Sequence, residues 1–202
     1  MAVEISPWQK DALTEIINIG VGRGAATLNS MCRSYVRLSV PSIEVIGVEE
    51  LADKLKRFES DTLATVVMPF NGPINGMASI LFPPDSASNL VTALTGEDPI
   101  FAGMDSIRSA TLSEVGNIII NGVIGAVANM LQMDIAYSPP SYMEESLRAI
   151  ISAFQMGEVV IMARARFMIE EFKVEGDILL LFEVGSFAAL IKGVDGAMPH
   201  NA

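Results

Sequence analysis

A single histidine, His200, stands two residues from the end of the chain, and a single cysteine, Cys32, is all the thiol it has. The tail around that histidine, Gly-Ala-Met-Pro-His-Asn-Ala, reads as disordered. No other histidine can serve a nucleophilic serine, and there is no Cys/His cluster for zinc. One thiol cannot close an internal disulfide, and at the apolar end of a helix Cys32 is expected to be a small core residue. Positive charge is scarce too. Thirteen Lys and Arg against 24 Asp and Glu leave a formal charge of −11, which repels a nucleic-acid backbone and suits a basic partner surface. The G-x-x-x-x-G-K-[ST] phosphate loop is absent. Residues 1–7 carry neither a basic region nor an apolar signal core, so a cytoplasmic location is expected rather than export. The most apolar run, residues 115–131, is a little short for a bilayer and includes Asn117, Asn121 and Asn129. It reads as a buried helix with a polar edge, and no membrane insertion is expected.

What the 202 residues do contain is a repeat, and half of them are hydrophobic, enough for one substantial core. Glu15, Asn18 and Pro41 recur 99 positions later as Glu114, Asn117 and Pro140. Around them Leu13, Ile19, Met31, Ser39 and Ser42 match Leu112, Ile118, Met130, Ser138 and Ser141. Further on, Gly76, Ile80, Leu81, Phe82, Ser86 and Leu90 match Gly176, Leu180, Leu181, Phe182, Ser186 and Leu190 at an offset of 100, as one inserted residue produces. The period is too long for a solenoid, so two fused halves of one domain are expected.

Each half predicts the same elements. Ser6, Pro7 and Gln9 form a capping box opening a helix to about Met31. Gly20, Gly22 and Gly24 lie inside it at roughly 1 kcal/mol each relative to alanine, so another backbone is expected to pack closely there. Residues 35–40 and 43–46 alternate as strands around Pro41, and 49–57 reads as a short helix. Residues 62–70 and 74–82 form a hairpin through Asn71-Gly72-Pro73, and Asp85 or Ser86 caps a helix through Leu94. After a connection at 95–103, the second half predicts a long helix over 105–131, a strand at 135–137, a Pro139-Pro140 break, a short helix over 143–154 and a hairpin of 159–169 with 178–182. The expected class is α+β: an internally duplicated pseudo-two-fold domain, an antiparallel β-sheet packed with long α-helices. It is one domain of residues 1–196, with repeats at about 6–96 and 105–195 and a disordered tail at 197–202.

Residues three apart on a helix share a face, so Glu15 and Asn18 point the same way, with Asp11 one turn earlier. The apolar set Leu13, Ile16, Ile17, Gly20, Gly24 and Leu28 takes another face. A lone Glu/Asn pair is ordinarily a solvated edge. Its persistence in a second helix made mostly of Ile, Val and Ala points to a function at Glu114 and Asn117 as well. A competing pattern, G-x-G-x-x-A at residues 20–25, fits a dinucleotide fingerprint. It would bury Glu15 and Asn18 in a parallel strand, and the second copy has Ile119, Asn121 and Ile124 at the matching places, so it is set aside.

An acid or serine, three residues, Glu, two residues, Asn, 22 residues and Pro is the pattern met by Asp11, Glu15, Asn18 and Pro41. Glu114, Asn117 and Pro140 repeat it, with Ala110 in place of the first residue and Ser109 beside it. This arrangement resembles the CheC-type phosphatases of bacterial chemotaxis, a family that takes in CheX and FliY. Chain length favours the CheC type, since a FliY-like protein carries an additional switch domain. The resemblance implies a hydrolase acting on the aspartyl phosphate of a CheY-type response regulator. It implies that Asn18 and Asn117 orient the attacking water, that Glu15 and Glu114 dock on the regulator's lysine, and that Asp11 supports the first site. Mg²⁺ then comes with the regulator, and no cofactor or metal of the chain's own is implied. A second partner, the receptor deamidase CheD, and a monomeric state are expected. The alternatives are a non-catalytic binding module for phosphorylated CheY or CheD, or a flagellar switch component. Ala110 predicts two unequal sites.

Overall fold

In the computed structural model, which describes residues 5–39, 41–55, 62–96, 104–153 and 159–197, the first helix begins at its capping signal. The Gln9 N–H donates to Ser6 Oγ at 3.2 Å and the Ser6 N–H to Gln9 Oε1 at 3.1 Å, with Pro7 in the first turn. Helix α1 (Pro7–Cys32) is followed by β1 (Arg37–Leu38), β2 (Ser42–Gly47), α2 (Val48–Lys54), β3 (Thr62–Asn71), β4 (Gly76–Phe82) and α3 (Pro84–Thr95). The same order of elements then runs through α4 (Met104–Leu131), β5 (Ala136–Tyr137), β6 (Ser141–Ser146), α5 (Leu147–Ala153), β7 (Val159–Ile169), β8 (Val174–Glu183) and α6 (Phe187–Ala197). The expected connection at 97–103, the tail at 198–202 with His200, Val40, and positions 56–57 and 154 of two expected short helices lie outside the described residues.

Every strand pairing is antiparallel, and the α+β class holds. The two long hairpins join through β4 and β8, with Ser79 opposite Leu179, to give the centre β7-β8-β4-β3 of one eight-stranded sheet. The edge strands cross over. β1 and β2 pair with β7, whereas β5 and β6 pair with β3, so each half of the chain completes its sheet on the hairpin of the other.

Two local expectations are corrected. Residues 143–146 are strand rather than helix, because the β3 edge is open there and Thr65 takes Met143 as its ladder partner. Helix α3 starts at Pro84 with Pro83 in the cap position, so neither Asp85 nor Ser86 caps it. Ser86 is buried and its Oγ accepts from the Glu175 N–H at 3.1 Å, tying α3 to β8.

One face of the sheet is covered by α1, α3, α4 and α6, in a core that includes the edge-to-face pairs Phe70–Phe182 and Phe82–Phe167. The other face carries a smaller apolar cluster in which Leu51, Leu55 and Ile150 meet Met77 and Leu181. Helix α4 is long and apolar enough over Ser106–Leu131 to cross a membrane by length and composition, and half of its most apolar 18-residue window is buried in the fold.

Against α4, α1 packs backbone to backbone. A Cβ on Gly20 would lie 2.9 Å from the Val123 carbonyl oxygen, and one on Gly24 would lie 3.2 Å from that of Ile119. Gly22 faces open space. Gly20→Ala therefore destabilises the fold by about 1–3 kcal/mol despite alanine's better helix propensity, as overpacking does. Gly22→Ala stabilises it by up to about 1 kcal/mol. Paired urea melts of the two variants read the opposite signs directly.

Candidate functional site

Helices α1 and α4 run antiparallel, since Gly20 meets Val123 and Gly24, four residues on, meets Ile119, four residues back. On α1 the residues at one face are Asp11, Glu15, Asn18 and Gly22; Asp11 and Glu15 are exposed and Asn18 is half-buried. On α4 the corresponding row is Ala110, Glu114, Asn117 and Asn121, the first two exposed and the asparagines half-buried. On the other faces of these helices Leu13, Ile16, Ile17, Leu112, Val115 and Ile119 are all core residues. Each Glu/Asn pair thus stands where the buried face of a long helix gives way to solvent. The antiparallel register carries Asn18 toward the Gly125 end of α4 and Asn117 toward the Ala26 end of α1. The structure therefore brings Glu15 together with Asn18, and Glu114 with Asn117, as two ridges on opposite sides of the helix crossing.

The two ridges differ. Asn121 Nδ2 donates to Asn117 Oδ1 at 2.8 Å, while the matching place on α1 is Gly22, which has no side chain to offer. Asp11 likewise has only Ala110 as its counterpart. In the sequence Asn121 belongs to the polar edge of the helix, and its position one turn beyond Asn117 is the signal for a partner.

The motif prolines lie at the sheet edge instead of on the ridges. Before Pro41, Ser39 completes the β7 ladder, its N–H donating to the Arg166 carbonyl at 2.8 Å and its Oγ accepting from the Arg166 N–H at 2.8 Å. Proline has no N–H to continue that ladder, so the strand breaks and resumes as β2. At the other edge Ser138 N–H donates to the Pro69 carbonyl at 3.0 Å ahead of Pro140.

Neither ridge lines any of four cavities among the described residues. A cavity of about 430 Å³ beside the C-terminal part of α4 is lined by Gly125, Ala128, Asn129, Asp134 and Tyr137 among others. One of about 230 Å³ past the end of α1 is lined by Ser34, Tyr35, Arg37, Glu170 and Glu171. None of Glu15, Asn18, Glu114 and Asn117 lines either. Small-molecule sites enclose most of their ligand, whereas a projecting carboxylate and amide fit a concave surface on another macromolecule. Tyr35 and Tyr137, 73% and 47% exposed, flank those two cavities. Their exposure was not legible in the sequence.

Cys32 is buried, and burial pushes its thiol pKa up, away from the thiolate a nucleophile needs. Among the described residues no three His, Cys, Asp or Glu side chains gather as a metal site. Residues 20–25, the fingerprint-like glycines, lie in the middle of α1 with no strand before them, which removes the dinucleotide reading.

A family model described as chemotaxis phosphatase CheX matches residues 64–164, half of the chain. The chain is 26% identical over 148 residues to the CheY-P phosphatase CheC of Bacillus subtilis, covering 71% of this chain and 70% of that protein. The crystal structure of FliY from Thermotoga maritima superposes with a TM-score of 0.76 at 15% identity, covering 97% of this chain and 100% of that one. A chain of the CheX–CheY–BeF₃–Mg²⁺ complex from Borrelia burgdorferi superposes with a TM-score of 0.56 at 16% identity, covering 81% of this chain and 96% of that one. Matched by a family model over half its length, and similar in fold to FliY and CheX, the chain belongs to the CheC/CheX/FliY family of chemotaxis proteins.

Proposed function

We propose that this protein is a phosphatase for the aspartyl phosphate of a CheY-type response regulator. The observation that carries the reading is the doubled Glu-x-x-Asn ridge, with both carboxylates exposed and both amides at the solvent boundary. The name of the Bacillus subtilis relative and the presence of CheY beside CheX in the Borrelia burgdorferi complex support it.

In this reading Glu15 or Glu114 pairs with the lysine of the regulator's site and sets the helix in register. Asn18 or Asn117 then reaches the phosphoryl group and holds a water in line with the bond to be broken. The water oxygen attacks phosphorus, the bond to the aspartyl oxygen breaks, and the carboxylate leaves as inorganic phosphate forms. Such a transfer depends on orientation and charge stabilisation more than on covalent help, so a group that positions water suffices. A carboxamide accepts from and donates to water without titrating. The regulator supplies the Mg²⁺ and lysine that offset the phosphoryl charge, and Asp11 supports the first ridge from one turn away. CheD is a further partner in this reading, and the protein works as a cytoplasmic monomer.

The likeness to FliY favours a second reading, a flagellar switch component, beside which stands a module that binds phosphorylated CheY or CheD without turnover. Incubating phosphorylated regulator and Mg²⁺ with the protein and following phosphate release separates the phosphatase from both. Release above the spontaneous rate is the expected result. A stable complex with no added release assigns the chain to binding alone.

A further inference from the structure

We infer that Asn121 is a positioning residue that sets the Asn117 amide before the regulator arrives, so that the two ridges work by different means; this rests on the phosphatase reading above. Asn121 lies one turn beyond Asn117, at a half-buried position of α4 between the run Ile118, Ile119, Ile120 and the pair Gly122, Val123. An asparagine there is a poor helix former, and its Oδ1 is buried with no hydrogen-bond partner. That is an unfavourable placement for a residue serving the fold alone, since an apolar side chain or alanine would suit the helix better. What the placement provides is the 2.8 Å bond from Asn121 Nδ2 to Asn117 Oδ1.

The bond fixes which end of the Asn117 amide faces out. With one Oδ1 lone pair taken from within the helix, the two N–H groups and the second lone pair remain for water and phosphoryl oxygens. The side chain is held in one rotamer, so docking orders little that was free. On α1 the matching residue is Gly22, and a Cβ built there meets nothing within 4 Å. Asn18 therefore receives no such bond from that position, and its amide is ordered only when the regulator closes over it. The same open space admits a side chain, so the missing bond can be installed.

The two ridges are read separately by using Asn18→Ala to isolate the second and Asn117→Ala to isolate the first. Phosphate release from a phosphorylated CheY-type regulator in Mg²⁺ gives kcat and KM for each. Adding Asn121→Ala to Asn18→Ala lowers kcat about three- to tenfold, the effect of immobilising one side chain, and leaves KM unchanged because Glu114 still docks. Adding Gly22→Asn to Asn117→Ala raises kcat of the first ridge by a similar factor, a gain that a purely structural role for Asn121 does not produce. Alanine is the better helix former at 121, so the variant folds, and circular dichroism checks it. The order of the Asn117 side-chain amide, measured by NMR relaxation, falls in Asn121→Ala independently of any activity. An unchanged kcat on Asn121→Ala, a loss confined to KM, or no gain from Gly22→Asn overturns the inference. If the unmodified protein accelerates nothing, the phosphatase reading fails, while the relaxation measurement still decides whether Asn121 sets the amide.

Discussion

On the phosphatase reading, Asn18→Ala combined with Asn117→Ala is expected to bring dephosphorylation of the regulator down to its spontaneous rate while the protein stays folded. Both asparagines are only half-buried, and each sits on a helix whose core face is made by other residues, so truncation opens no interior cavity. Alanine is the better helix former, which offsets the loss of the Asn117–Asn121 bond on α4. Removing one group that stabilises or orients in a transition state costs on the order of 10²–10³ in rate, and here both copies are removed. Changing the carboxylates has a different signature. On the same reading Glu15→Ala with Glu114→Ala removes docking contacts made before and during the transfer, and is expected to raise KM more than it lowers kcat. A double asparagine variant that keeps more than half of the unmodified rate, with an unchanged circular dichroism spectrum, removes these residues from the chemistry.

What the sequence disclosed and what it withheld follow from the range of the forces involved. The capping box at Ser6 and Gln9 is a contact between neighbours along the chain, and it stands as read. The demand for a close backbone at Gly20 and Gly24 was legible because a glycine within a helix needs a reason; that Gly22 lacks such a neighbour depends on where α4 lies, which no local pattern encodes. Residues 143–146 carry Glu144 and Glu145, acceptable to a helix, and become strand because β3 offers an open edge. The crossing of β1 and β2 onto β7, and of β5 and β6 onto β3, is invisible to a repeat, which says only that two segments are alike and not which one each will pair with. At the site, the Glu/Asn rows were readable from helical spacing, whereas the Asn121 contact and the exposure of Tyr35 and Tyr137 required coordinates.

Asp177→Ala is expected to cost about 3–5 kcal/mol of stability, the range for breaking a buried ion pair. Asp177 is fully buried on β8, and the Arg164 Nε on β7 donates to its Oδ1 at 2.6 Å. The Arg164 side chain is 20% exposed and also donates from Nη1 to the Lys54 carbonyl at 3.3 Å, tying the end of α2 to the sheet. Burial lowers the Arg164 pKa first, the positive charge of Arg166 lowers it further, and Glu44 raises it, so the guanidinium already sits in a place that disfavours its charge. Across the ladder Asp177 is the partner of Arg166, so among the described residues Arg164 and Arg166 both lie beside this acid. Removing the acid leaves the partly buried Arg164 guanidinium without its ion-pair partner beside the apolar cluster of Leu179, Leu181 and Met162, while Arg166 is exposed and stays hydrated. Replacing Arg164 and Asp177 together by leucine recovers most of the loss, because an apolar pair of similar volume removes the charge along with its partner. Urea denaturation reads this as a lower midpoint with an unchanged slope for Asp177→Ala, restored in the double variant. Since α1 and α4 cover the opposite face, the kcat for regulator dephosphorylation stays at the unmodified value below the melting range; a fall in kcat without a shift in midpoint would place this ion pair in the functional machinery.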